Sequence, residues 1–274
     1  MDESPITLNS LIGTLLFSVF SLVFIFTFFA NNRNTVVFCD VGQGNATYIR
    51  NVPDIDIIVD AGQDARVLEC LGRHMPFFDR KVELLIITHP DSDHYGGAIH
   101  IINRFKVNNV ITSSRTEGNA GYAKLLLRID ELNIRRRSYF SGDKIRLGSS
   151  VFTFYWPPVD FLNVKDNDAS SIFLYEKSGF RLLFTGDSIP ETLNSLTYRD
   201  KERVDILMVP HHGSRNGLTE KFLRLADPVI AVISAGKNNP YGHPHNSIID
   251  LLKAKNIKIK RTDEDGDIKI NLEE

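Results

Sequence analysis

Two imidazoles and two carboxylates fall within six consecutive positions of this chain, in the run Thr88-His89-Pro90-Asp91-Ser92-Asp93-His94. Each is a ligand type for a divalent cation, and such a density constrains the fold that carries it. The run follows Leu84-Leu85-Ile86-Ile87 and precedes Gly96-Gly97. The apolar run has the length and Ile content of a buried strand. A loop leaving the end of a rigid strand holds ligands well, because the strand fixes where the loop starts. The chain must therefore fold so that a sheet edge carries this loop and other segments complete the ligand set.

The rest of the composition is that of an ordinary globular chain. It has 274 residues, 42% hydrophobic and 24% charged. Its net charge of −2 gives no global electrostatic case for nucleic-acid binding, so any basic surface is local. Cys39 and Cys70 lie in apolar settings and read as small core residues rather than as a disulfide scaffold. Residues 11–30 carry no charge, and 20 residues at about 1.5 Å each cover the hydrocarbon core of a bilayer. A cleaved signal peptide is opposed by Asp2 and Glu3, by the lack of Lys or Arg ahead of the span, and by the end Phe28-Phe29-Ala30. The expected organisation is a tail (1–10), one uncleaved transmembrane helix (11–30) and a single soluble domain (34–274). Arg33, after the span, favours a cytoplasmic domain.

Strand-like patterns occur at 36–39, 46–50, 55–59, 84–88, 110–112, 143–147, 151–156, 171–176, 180–184, 204–209, 229–233, 257–260 and 268–270. Helical patterns lie at 64–74, 97–105, 122–132, 191–198, 219–225 and 247–255. Strands interspersed with helices, without a run of strict βαβ units, predict two sheets with helices outside them, an α/β (α+β) arrangement.

Three later segments supply further ligand types. Leu182-Leu183-Phe184-Thr185-Gly186-Asp187 delivers a carboxylate at a strand end, and Met208-Val209-Pro210-His211-His212 delivers paired imidazoles. Tyr241-Gly242-His243-Pro244-His245 adds two more from a loop. Six of the eight histidines thus cluster near acidic residues; His74 and His100 read as ordinary histidines. Asp40 and Asp60 sit at strand ends near glycines, where support of turns and of the metal loop is expected.

Thr88 to His94 resembles the H-x-[HD]-x-D-H signature of the metallo-β-lactamase superfamily. The segments DVGQGNA, THPDSDHYGG, TGD, PHHGS, GKNNPYGHPH and RTDEDG, in that order, resemble the metallo-β-lactamase-like domain at the C-terminal end of the competence DNA-uptake family (ComEC/Rec2). The multi-helix channel of that family has no counterpart here, so the chain is not expected to form a DNA-conducting pore itself. The resemblance implies an αββα metallo-β-lactamase sandwich behind the N-terminal helix and a pair of divalent ions, Zn²⁺ or Mn²⁺. His89 and Asp91 would serve one ion; Asp93 and His94 would serve the other. Asp187 would bridge them, and one of His211 and His212 would complete the set, with His211 preferred at the strand end. The superfamily's further His before the bridging Asp is missing, and Asn167, Asp168 or Ser171 is expected to fill that gap or leave it to water. Asp93 is expected also to orient the nucleophile, and His212, His243, His245 or Lys237 to contact a phosphate, protonate the leaving group or support the ligands.

The implied activity is hydrolysis by metal-activated water, with DNA as substrate and the domain outside the cytoplasm, against the indication of Arg33. Arg135-Arg136-Arg137, with Arg128 and Lys124, offers local positive charge for phosphates or else a solvated helix end. Alternatives are hydrolysis of a small ester, such as a phosphocholine ester or a lactone, on the same metal pair, or a non-catalytic DNA-binding module of a competence or membrane complex.

Overall fold

A computed structural model describes residues 7–31, 33–112, 119–160, 170–196 and 203–272. The chain opens with helix α1 (Leu8–Asn31), then strands β1 (Thr35–Phe38), β2 (Thr47–Asn51) and β3 (Ile55–Val59). Helix α2 (Arg66–His74) leads through β4 (Lys81–Val82) to β5 (Leu84–Ile86). Next come α3 (Ser92–Tyr95), α4 (Ala98–Arg104), β6 (Lys106–Val107), β7 (Asn109–Ile111), α5 (Ala120–Glu131) and β8 (Arg135–Arg137). The second half runs β9 (Lys144–Leu147), β10 (Ser150–Trp156), β11 (Ile172–Lys177), β12 (Phe180–Phe184), α6 (Pro190–Ser195), β13 (Ile206–Met208) and α7 (Glu220–Ala226). It closes with β14 (Ile230–Ile233), α8 (Asn246–Ala254), β15 (Lys258–Arg261), α9 (Thr262–Asp265) and β16 (Ile268–Asn271).

Two seven-stranded sheets form, ordered β16-β1-β2-β3-β5-β7-β8 and β15-β14-β13-β12-β11-β10-β9. The expected sandwich is thus observed, and its burial shows why it forms. Successive residues along a strand point to opposite faces, and here both faces are covered. Val36 and Phe38 enter the core between the sheets, while Val37 enters the core beneath α2, α4 and α5. In β12, Leu182 and Phe184 face the first sheet and Leu183 faces α6 to α8. The strands therefore read as continuous apolar runs rather than as alternating ones.

Strands β3, β5 and β7 run parallel, as do β12, β13 and β14. Their C-terminal ends lie at one edge of the sandwich, where the metal-type loops leave. The opposite end holds Asn34, whose Oδ1 accepts from Val52 N–H at 3.0 Å in the β2–β3 turn. There Arg50 and Asp56, both buried, pair at 2.6 Å, and Tyr48 Oη donates to the same carboxylate at 2.5 Å.

Two expectations need correction. Arg135-Arg136-Arg137 is not a helix end: it forms β8, the exposed edge strand of the first sheet, paired in parallel with β7. Charged edge strands resist pairing with other chains. Cys39 and Cys70 are core residues but also a disulfide, with Cα atoms 5.8 Å apart and a separation of 31 positions in sequence. The bond ties the end of β1 to α2, a juxtaposition that only the tertiary packing creates. Closing a loop of this length restricts the unfolded chain and stabilises by about 2–4 kcal/mol. Cys39→Ala/Cys70→Ala should lower the denaturation midpoint accordingly in the absence of reductant, and dithiothreitol should do the same to the parent protein. Equal midpoints for parent and double variant would contradict the bond.

Candidate metal centre

The cluster is assembled from the ends of three strands. After β5 the chain continues to His89, which is fully buried, and turns at Asp91, the extended N-cap of α3. One turn of helix then presents Asp93 and buried His94. After β12, Gly186 at φ +49° delivers buried Asp187, whose N–H donates to Ser170 Oγ at 2.9 Å. A Cβ on Gly186 would stand 2.4 Å from that hydroxyl, so the approach requires glycine. After β13, His211 and His212 both adopt left-handed backbone, at φ +51° and +53°. For residues other than glycine this is costly and is retained where the surroundings demand it.

The side chains converge. His94 Nε2 lies 3.1 Å from Asp187 Oδ1, and His89 Nε2 lies 3.9 Å from Asp187 Oδ2. His212 Nε2 is 3.2 Å from Asp93 Oδ2 and 3.6 Å from Asp187 Oδ2. Asp91 Oδ2 is 3.5 Å from His89 Nε2 and partly open to solvent. Two ligand groups result, His89/His94/Asp187 and Asp93/His94/His212, each with its donor atoms within 4.8 Å of one another.

The far sides of the rings explain their orientation. Asp60, itself at φ +55°, accepts Thr88 N–H at 2.8 Å on Oδ1. Its Oδ2 receives both the Thr88 hydroxyl at 2.9 Å and His94 Nδ1 at 2.8 Å. Because the Thr88 hydroxyl donates to Asp60, it accepts from His89 Nδ1 at 3.0 Å. His212 Nδ1 donates to the Ser234 carbonyl at 3.0 Å. All three imidazoles therefore carry their outer proton on Nδ1 and aim Nε2 inward. Those three Nε2 atoms and Asp187 Oδ1 are buried and have no hydrogen-bond partner. Buried polar atoms are nearly always partnered, so four converging orphans fit a cation. Burial opposes charge here, yet Asp187 and Asp60 hold the His94 imidazole well above its usual pKa. Likewise His212 and His94 keep the Asp93 carboxyl down at about 2, against its burial. The extra proton held on the His94 imidazole is one that a bound cation would displace, whereas Asp93 is already ionised to receive it.

Some expected residues stand elsewhere. His211, preferred from its place at the strand end, is not the imidazole in the buried group. Its ring is about one-third exposed and its Nε2 is 3.8 Å from Asp187, whereas His212 is buried in the cluster. The left-handed pair of residues turns the second histidine inward. Asp60 meets the loop through Thr88 and His94. Asp40 serves its own turn, where Oδ1 accepts Gly42 N–H at 3.1 Å. Ser171 meets the loop by its backbone, donating to the Thr88 carbonyl at 3.0 Å. Asn167 and Asp168 lie outside the described residues. His243 is half-buried, with its ring 6.2 Å from that of His212 and 5.9 Å from that of His211. Its Nδ1 is buried without a partner, and burial, then the charge of His212 and His211, holds its pKa down. His245 instead caps α8, accepting Ser247 N–H at 3.2 Å, and touches Arg215. Lys237 is exposed.

Sequence reasoning missed Ser170 and Ser234, whose positioning contacts are visible only in three dimensions, and Gly44. A Cβ on Gly44 would meet the Asp93 carbonyl at 2.2 Å, while Asn45 N–H donates to that carbonyl at 3.1 Å. The Gly-containing β1–β2 turn thus clamps the metal loop, and its glycines were the available signal.

Comparisons with known proteins bear on the family and the fold. The pattern of the Metallo-beta-lactamase superfamily matches residues 39–237, and the chain belongs to that superfamily. Among curated proteins it is similar to ComE operon protein 3 of Bacillus subtilis, 27% identical over 274 residues, covering 93% of this chain and 35% of that protein. It is also similar to Recombination protein 2 of Haemophilus influenzae, 30% identical over 243 residues, with 85% of this chain and 28% of that protein covered. The chain thus spans about a third of the length of these curated relatives, which belong to the ComEC/Rec2 competence family. Among solved structures it resembles the metallo-beta-lactamase fold protein YhfI of Bacillus subtilis, at TM-score 0.60 and 11% identity over 86% of this chain and 100% of that one. It also resembles Igni18, a metallo hydrolase of Ignicoccus hospitalis, at TM-score 0.58 and 14% identity over 87% and 100% of the two chains.

The arrangement predicts a ranking in metal retention. By equilibrium dialysis, His212→Ala should weaken divalent-metal binding far more than His211→Ala. Asp60→Ala, which touches no inward-facing atom, should still weaken it by about 10- to 100-fold through loss of ring orientation. Equal retention in His212→Ala and the parent protein would contradict the cluster.

Proposed function

We propose that this chain is a membrane-anchored, metal-dependent phosphodiesterase that cleaves DNA. The observation that carries the reading is the buried set of inward-facing, unpartnered donors, three imidazoles and Asp187, beside Asp91 and Asp93. His89, Asp91, Asp93, His94, Asp187 and His212 would hold two divalent ions. A donor set with three carboxylates is hard enough to suit Mn²⁺ as well as Zn²⁺. Bound there, such ions supply Lewis acidity towards a phosphoryl oxygen and acidify water. The protein's own residues then divide the remaining work. Asp60 and Thr88 hold two rings in register, and Asp187 is kept ionised by the imidazoles around it. His243, beside His212 at the half-open rim, is positioned to offer its ring N–H to a substrate phosphate.

DNA as substrate is supported by the similarity to competence and recombination proteins. The anchor reading is supported by α1, whose stretch Leu8–Ile25 has a mean hydropathy of 2.1 and no burial within the protein. A domain outside the cytoplasm is supported by the Cys39–Cys70 disulfide, since such bonds persist in oxidising compartments.

The test is metal content together with nuclease activity of the soluble part, 34–274, on single- and double-stranded DNA with Mn²⁺ and with Zn²⁺. Metal-dependent cleavage is expected, falling by at least about 100-fold in Asp187→Ala and restored in neither metal. A metal-loaded protein that leaves both DNAs intact but hydrolyses a small ester would replace this reading with the small-molecule one.

A further inference from the structure

The membrane-type helix ends at Asn31, and Asn34 is already fixed in the domain: its side chain accepts Val52 N–H at 3.0 Å and its carbonyl accepts Leu272 N–H at 2.8 Å. Three residues span at most about 11 Å. Whatever bilayer holds α1 therefore lies against the Asn34 end of the sandwich. That end also carries an exposed aromatic pair. Phe77 and Phe78 are 68% and 54% exposed, edge to face at 5.3 Å, in the turn where Asp79 N–H donates to the Pro76 carbonyl. The turn is fastened to the Asn34 end by Arg50. This guanidinium reaches Asp79 at 3.4 Å and the Pro53 carbonyl, in the β2–β3 turn beside Val52, at 3.0 Å.

Cations lie close to Phe77. Arg80 and Arg104 line the same hollow as Phe77. Lys106 N–H donates to the Arg80 carbonyl at 2.8 Å, and Arg80, Arg104 and Lys106 are all exposed. The acids nearby are occupied or separate: Asp79 pairs with Arg50 and Glu83 with Lys81, while exposed Asp54 sits in the β2–β3 turn. Paired aromatics with Arg and Lys nearby suit the headgroup layer of an anionic membrane, where rings bury and cations meet phosphates.

We propose that the 76–79 turn docks Phe77 and Phe78 into the interface of the bilayer that holds α1, with Arg80, Arg104 and Lys106 on anionic headgroups. The proposal rests on reading α1 as an uncleaved anchor. It gives the domain a second attachment, so the body does not swing freely on α1. It also fixes which way the metal centre points. That centre lies at the opposite ends of the strands, a five-residue β3 or roughly 15 Å from the docked face. The docked domain thus opens to water, and its substrate arrives from the aqueous phase; an ester buried in the same leaflet cannot reach it.

The experiment uses the full chain in vesicles of phosphatidylcholine and phosphatidylglycerol, with Trp156→Phe to remove the native indole. Phe78→Trp, Phe77→Trp and, beside His243 at the far end, Tyr241→Trp serve as separate probes. Brominated lipid should quench the probes at 77 and 78 at least about twofold more than the probe at 241, and their emission should shift to the blue. Equal quenching at 78 and 241, or none at 77 and 78 in chain that resists carbonate extraction, overturns the docking while leaving the anchor standing. Recovery of the chain in the carbonate supernatant overturns the anchor reading and the docking with it.

Discussion

The contact on which the site depends is the Asp60 carboxylate. One oxygen takes the Thr88 N–H at the end of β5; the other takes the Thr88 hydroxyl and His94 Nδ1. Through that hydroxyl it also fixes His89. One acid at the end of β3 thereby sets the tautomer and direction of two rings on the neighbouring strand's loop. The carboxylate is buried, so these hydrogen bonds are charge-assisted and little screened by water. Without it, two imidazoles in a dry pocket would have no reason to turn their lone pairs inward.

The sandwich supplies what this arrangement needs around it. Parallel pairing of β3 with β5 brings Asp60 beside Thr88, and parallel pairing of β12 with β13 brings Asp187 beside His212. The two sheets then face their strand ends together across the core of Phe38, Phe152, Phe173 and Phe184. His89, Asp187 and His212 thus hang from buried strands by a few residues of loop, and Asp93 and His94 ride on the single turn of α3 that follows. The same polarity separates functions: the opposite ends of the strands receive α1 and the aromatic turn at 76–79.

Much of this was legible in the sequence because it is local. The dense His/Asp run, the strand-to-Asp step at 187 and the paired histidines after 209 each sit within one short segment, and the apolar runs before them announced buried strands. What was not legible depends on contacts between distant segments. His211 and His212 are adjacent, and the one that turns inward is decided by two left-handed residues and by the Ser234 carbonyl 22 positions away. Cys39 and Cys70 pair because β1 and α2 pack together, which spacing alone does not reveal. Arg135 to Arg137 resembled a charged helix end, since three arginines lack the alternation of a strand; parallel pairing with β7 overrides that preference. Of the residues expected at the superfamily's further histidine, Asn167 and Asp168 lie outside the described residues, and Ser171 meets the loop through its backbone N–H.

The inward-facing imidazoles and Asp187 are arranged as a metal centre. Crystals grown with Mn²⁺ or Zn²⁺ test it directly through anomalous scattering at the absorption edge of the metal. Two peaks are predicted, one among His89, His94 and Asp187 and one among Asp93, His94 and His212. Peaks confined to exposed side chains, with none inside the cluster at saturating metal, would contradict it.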